Sequence, residues 1–190
     1  MTIVEHVSAL LMEAAKGVDD LAELDLTIQV ERTGGEVWVR ILKDGEVQTT
    51  RDPVYGFLAM KDAPFSGYEG SSGECLGAYV VTLTSATKGW GPLIYDVAME
   101  YAASKRKALA PDRWSVSSDA KRVWKYFSSR RSDVKTIQLD DLKNTLTPTP
   151  KDNCRQDSAR RFPRDVVSQA FYRSSTPKLK KLRSMGLLDT

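Results

Sequence analysis

The segment Leu76–Ala102, LGAYVVTLTSATKGWGPLIYDVAMEYA, holds the residues best placed to do chemistry. A β-branched apolar run leads into Lys88-Gly89-Trp90-Gly91-Pro92-Leu93, and an amphipathic run follows. A strand that feeds a glycine turn and then a helix start can hold an anion. The first backbone N–H groups of the helix have no internal partner, the helix dipole favours negative charge, and glycines admit a phosphate closely. Lys88 adds a positive charge beside the turn, and Pro92 sits where a missing N–H costs little. The same glycines also suit a tight strand-to-helix turn without a ligand. Trp90 reads as a packing or lid residue, and Tyr95 and Tyr101 as helix residues that pack. Asp96 and Glu100, or Glu69 and Glu74 in the preceding loop, are carboxylates available as general bases. Asp112-Arg113 before Trp114 suits a buried ion pair or substrate recognition. His6, Cys75 and Cys154 are too few for a structural zinc site, so no metal is expected. Two distant cysteines also give no disulfide framework, which points to a reducing cytoplasm.

The elements that must position these groups follow from periodicity. Ile3, Val7, Leu10, Leu11 and Ala14 mark one helical face over residues 3–16, and Gly17 ends it. A short helix is expected over Val18–Leu24. Leu26, Ile28 and Val30 alternate, as do Val37, Val39 and Ile41, with a turn at Thr33-Gly34-Gly35 between them. Lys43-Asp44-Gly45-Glu46 reads as a hairpin tip and Val54–Met60 as the next strand. Residues 62–74 form a glycine-rich loop before a strand over Cys75–Leu83 and a helix over Trp90–Lys105. Ala108–Trp114 is a short strand or crossing segment. A helix capped by Ser117 or Ser118 runs through Phe127, with Ala120, Val123, Trp124 and Phe127 on one face. Val134–Leu139 is a further strand. Phe162–Tyr172 and Pro177–Met185 read as two basic helices. The order predicts a mixed α/β (α+β) fold, a mainly antiparallel sheet with one parallel crossover, flanked by helices.

The chain has 190 residues, enough for one domain with a real core. The divisions expected are a domain over 1–143, a linker or loop over 144–158 and a basic helical extension over 159–190. No apolar run reaches the roughly 18–20 residues of a membrane span, and the N-terminus lacks the features of a secretion signal. Charge is uneven. Residues 1–120 carry 11 Lys+Arg against 18 Asp+Glu, and residues 121–190 carry 17 against 7. Arg160, Arg161, Arg164, Arg173, Lys178, Lys180, Lys181 and Arg183, with Phe171 and Tyr172 among them, could track nucleic acid or meet an acidic protein. They could equally form a solvated helical face.

Ala86-Thr87-Lys88-Gly89-Trp90-Gly91 resembles the acyl-coenzyme A turn of the GNAT acyltransferase superfamily, Arg/Gln-x-x-Gly-x-Gly/Ala, found between the fourth strand and the next helix. It matches the glycines and departs at Ala86, where the family has a basic or amide residue. Ser117 to Trp124 is similar to the family's Asn-x-x-Ala-x-x-x-Tyr helix, with Ser117 at the Asn position and Trp124 at the Tyr position. That Tyr commonly protonates the coenzyme thiolate; an indole cannot, and Tyr126 lies two residues on. The resemblance implies a GNAT-like fold and acetyl-coenzyme A, or another acyl-coenzyme A, as cofactor. It implies that Val80, Val81 and Thr82 receive the pantetheine arm as an added strand, and that Lys88, Gly89, Trp90, Gly91, Pro92 and Leu93 cradle the pyrophosphate. Ser117 would lie beside the arm. Direct acyl transfer to an amine of a protein, small molecule or modified base would follow, with Tyr126, Glu100 and Asp96 as candidate catalytic groups. The segments GWGPLIYDVAMEYA, PDRWSVSSDAKRVWKYF and LDDLKNTLTP are also similar to proteins of tailed bacteriophages, which implies a host cytoplasm as location. A protein of this shape that binds a host protein or nucleic acid through its basic C-terminus, without catalysis, is the alternative.

Overall fold

Segments that alternate apolar and polar residues pair into an antiparallel meander. The computed structural model describes residues 15–43, 55–62, 78–112, 116–138 and 169–190. A short helix α1 (Val18–Glu23) leads into β1 (Leu26–Thr33), β2 (Glu36–Lys43), β3 (Gly56–Asp62) and β4 (Ala78–Ala86). Helix α2 (Gly91–Ser104), strand β5 (Ala108–Ala110), helix α3 (Ser118–Arg130) and strand β6 (Lys135–Gln138) follow. The chain closes with β7 (Gln169–Tyr172), α4 (Pro177–Ser184) and β8 (Leu188–Asp189). The eight strands make one sheet in the order β6-β7-β5-β4-β3-β2-β1-β8. It is mostly antiparallel; β4 with β5 and β1 with β8 are the parallel pairs. A mixed α/β architecture is therefore observed. No helix among the described residues is long and apolar enough to cross a membrane.

Register puts Ile28 opposite Ile41, Val39 opposite Leu58, Met60 opposite Val81 and Tyr79 opposite Leu109, so one face is continuous across five strands. These side chains, with Phe171 of β7, form the main core together with Leu21, Leu93, Ile94, Val97, Trp124, Phe127, Leu179 and Leu182 from the helices. A smaller cluster of Ala78, Val80, Ala108, Ala110 and Ala170 fills the opposite face at β4, β5 and β7.

Several expectations need correcting. Gln169–Tyr172, expected at the end of a helix, is a strand seated between β5 and β6. The described part of the C-terminal region thus contributes an interior strand, β7, and an edge strand, β8, to the sheet, and β8 was not expected at all. Strand β4 runs three residues beyond its expected end at Leu83, to Ala86. The helix expected before residue 15, the Asp44-Gly45-Glu46 tip, the 62–74 loop beyond Asp62, Arg113-Trp114 and the 144–158 linker lie outside the described residues. So do His6, Glu69, Glu74, Cys75, Cys154, Arg160, Arg161 and Arg164.

Gly56 decides how closely α2 approaches the sheet. Its φ is +155°, and an added Cβ would lie 2.5 Å from Ile94 Cδ1 and 3.1 Å from Ala86 Cα. Gly56→Val is therefore expected to lose about 2–4 kcal/mol through strain and overpacking. Urea unfolding measures this; a loss below about 1 kcal/mol would mean that α2 moves away freely.

Candidate functional site

Strand β4 and its neighbours create a gap. β4 pairs with β5 only at Ala78↔Ala108, Tyr79↔Leu109 and Val80↔Ala110. β5 then ends before Pro111, while β4 continues for six more residues. Beyond Val80, the β5-side edge of β4 has no strand partner among the described residues. The parting coincides with an irregularity on the other edge. Ala59 pairs with Leu83 and Met60 with Val81, so Thr82 is an extra, bulged residue. Its hydroxyl donates to Ala59 O at 3.3 Å. A bulge bends its strand and re-aims its side chains, and bulges recur beside functional sites. Thr84, further along, donates to Phe57 O at 3.1 Å.

The open stretch of β4 leads to the glycine turn. Trp90 N–H donates to Thr87 O at 3.2 Å, closing a four-residue turn in which Gly89 takes φ +92°. That angle is the reason for glycine there. Lys16 N–H donates to Gly89 O at 3.0 Å, and the Lys16 ammonium lies 4.8 Å above the Trp90 ring. Trp90 itself is buried, edge-on to Tyr55 at 6.4 Å. It is a packing residue and not a lid.

Helix α2 begins without a cap. Trp90 occupies the N-cap and offers no side-chain acceptor, and the first turn contains no acidic residue. Ile94 N–H reaches Trp90 O at 3.1 Å, so the helix ladder starts there. The N–H groups of Gly91 and Leu93 precede the ladder and have no acceptor within the helix. Of the six turn residues expected to cradle an anion, Trp90 therefore has its N–H engaged and Pro92 has none. Lys88 is exposed, and Gly89, Gly91 and Pro92 are partly exposed. A Cβ on Gly91 would meet nothing within 4 Å.

Helix α3 packs its apolar face into the core through Trp124 and Phe127. Ser117 caps it, its hydroxyl oxygen accepting from Ala120 N at 3.2 Å. Trp124, at the position compared with a catalytic Tyr, is a core residue. Its ring lies 4.6 Å from Phe171 and 4.9 Å edge-on from Tyr95. Tyr126 points elsewhere, half-buried, with its ring 5.4 Å from Phe127 and 6.0 Å from the Arg131 guanidinium.

Asp96 and Glu100 do not face a substrate as free bases; they anchor a buried ionic cluster. The Arg131 guanidinium forks onto Asp96 at 3.1 and 3.2 Å. Arg173 donates to Asp96 at 2.8 Å and lies 3.0 Å from Glu100 and 2.6 Å from Asp133. Lys178 reaches Asp96 at 3.2 Å. Glu100 accepts from Leu179 N at 2.8 Å, so it caps α4 in place of Thr176, which offers no side-chain bond. Burial pushes the Glu100 carboxyl up, opposed by the Leu179 and Lys178 N–H groups and by Arg173. Asp133 is held down at about 2, chiefly by its hydrogen bonds from Arg131.

This cluster also absorbs part of the basic C-terminus. Arg173 is buried and Lys178 pairs with Asp96, while Lys181, outside the cluster, makes an exposed pair with Asp19 at 2.7 Å. Lys180 and Arg183 stay exposed. Among the described residues, no group of three or more His, Cys, Asp and Glu could hold a metal ion.

The sequence reading missed Lys16 as a neighbour of the glycine turn, because no local signal ties residue 16 to residue 89. Set against protein-family models, curated proteins and solved structures, the chain gives no match.

Proposed function

We propose that the chain is an acyl-coenzyme A-dependent N-acyltransferase of the GNAT type, with acetyl-coenzyme A as donor and an amine as acceptor. One observation carries the reading. The fourth strand bulges at Thr82, parts from β5 after Val80, and runs through a glycine turn into a helix whose start is uncapped. This combines an open strand edge, suited to an extended amide-bearing arm, with an anion-accepting helix start at the end of that edge. Both are what the coenzyme requires.

The backbone of Val81 and Thr82 would hold the arm, and the N–H groups of Gly91 and Leu93 the phosphates, with Lys88 supplying charge. Bound there, the coenzyme supplies an acyl group activated as a thioester. The acceptor amine must be neutral to react. Asp96 and Glu100 are held by Arg131, Arg173 and Lys178, so proton removal falls to water or to a carboxylate outside that cluster.

The alternative, a non-catalytic protein binding a host protein or nucleic acid through its basic C-terminus, is weakened by the internal pairing of Arg173 and Lys178. Titration calorimetry with acetyl-coenzyme A tests the proposal. Saturable heat at one ligand per chain is expected. No heat at millimolar ligand, with the protein folded, would overturn it.

A further inference from the structure

The sheet has a second face. Across β1 to β4 the register lines up Glu31, Trp38, Ala59 and Leu83 in one row and Gln29, Arg40, Phe57 and Ser85 in the next. Their strand neighbours Val30, Val39, Leu58 and Met60 belong to the main core, so these two rows point the other way. The four described helices all bury their apolar side chains in that core, so none of them lies over the rows. An antiparallel sheet with one face in water carries polar residues on it. Here that face keeps Trp38, Phe57 and Leu83. Leu83, at 53%, is the most exposed large apolar side chain among the described residues. The Trp38 and Phe57 rings are partly exposed and 5.8 Å apart, and the Arg40 guanidinium lies 4.8 Å over Trp38. The result is an apolar strip across three strands, of the kind that marks an interaction surface.

Charge decides the occupant. Arg40 pairs with Glu31 at 2.7 Å and Lys61 with Glu36 at 3.1 Å, each cation beside a carboxylate of the same face. The face therefore sets positive against negative side chains around the strip and presents no field of one sign. Nucleic acid or a strongly charged peptide finds nothing to steer it there. A second copy is matched. A twofold contact joins a patch to itself, and a patch carrying both signs can bring each cation opposite a carboxylate. Tryptophan and arginine, which meet here, are also the side chains that dominate such contacts. We propose that this face is the contact between two copies of the chain, sheet on sheet. Trp38, Phe57 and Leu83 form its centre, and Glu31, Glu36 and Lys61 its rim. The contact does not depend on what binds at the glycine turn.

Sedimentation velocity of the full chain, from low micromolar to hundreds of micromolar, tests this, with Leu83→Lys as the variant and Leu24→Lys as the control. Both leucines are exposed, at 53% and 43%, so neither change enters the core, and thermal unfolding of each variant checks this. The parent is expected to pass from one to two chain masses as concentration rises. Leu83→Lys weakens that dimer by about 100-fold, because the twofold places the new charge in the contact twice, at roughly tenfold each. Leu24→Lys, on α1, leaves it unchanged. A parent that stays monomeric throughout overturns the proposal, as does a dimer that Leu83→Lys leaves intact. An equal loss in both variants means unspecific apolar association and overturns it too. A monomeric parent that retains a single-stranded oligonucleotide, with retention lost in Leu83→Lys, overturns the second copy and assigns the face to nucleic acid.

Discussion

Asp96→Ala lowers the unfolding free energy by about 3–5 kcal/mol, the cost of breaking a buried ion pair from one side. The reason lies in how many cations converge on this carboxylate. Arg131 forks onto it, Arg173 donates at 2.8 Å and Lys178 stands at 3.2 Å. Arg173 is 3% exposed and cannot recover water when its partner leaves. Glu100 and Asp133 remain near it, but the Glu100 Oε1 contact lacks hydrogen-bond geometry and Asp133 is partly exposed. The cluster also joins four elements, since Asp96 and Glu100 are on α2, Arg131 follows α3, Arg173 follows β7 and Lys178 is on α4. Loss of Asp96 thus loosens the strand that lies between β5 and β6. Equilibrium urea unfolding checks the prediction through the midpoint at unchanged slope. A loss under about 1 kcal/mol would mean that water reaches Arg173 and that the cluster is a surface feature.

That cluster was not legible in the sequence, whereas the sheet it braces largely was. β1 and β2 declare themselves because one face is buried and the other wet, which enforces strict alternation over Leu26–Val30 and Val37–Ile41. The glycine turn is legible because Gly89 needs a positive φ that other residues avoid. By contrast Gln-Ala-Phe-Tyr of β7 is four residues long and paired on both edges by strands distant in sequence. A short apolar run beside basic residues carries no period that separates strand from helix, and tertiary pairing decides. β8, two residues long, takes its place from the parallel partner Ile28, whose N–H donates to Leu187 O at 2.8 Å. Asp96 and Glu100 were recognisable as carboxylates near the turn. What surrounds them was not, because Arg131 and Arg173 stand 35 and 77 residues from Asp96 in the chain. A carboxylate's availability as a base depends on those neighbours, so spacing along one helix cannot establish it.

On the proposed acyl-coenzyme A reading, Gly91→Glu is expected to weaken acetyl-coenzyme A binding by about 100-fold or more, while leaving the protein as stable as before or slightly more so. The two effects have opposite signs because they act on the same helix start from different states. In the free protein, a carboxylate in an uncapped first turn without acidic residues interacts favourably with the dipole, by about 0.3–1 kcal/mol. A side chain also fits, since a Cβ at Gly91 meets nothing within 4 Å. In the proposed complex, the carboxylate would occupy the N–H groups assigned to the phosphates and repel them. Two unit charges about 4 Å apart near a protein surface interact by roughly 4 kcal/mol, well above the approximately 2.8 kcal/mol that 100-fold represents. Gly91 separates folding from binding better than Gly89, whose φ of +92° makes any side chain there strained. Thermal unfolding and calorimetry on the one variant read both quantities. Loss of stability would mean that the helix start is packed more tightly than the open space at Gly91 indicates. Retained affinity would move the phosphates away from α2 altogether and leave the gap beside β4 to a ligand without them.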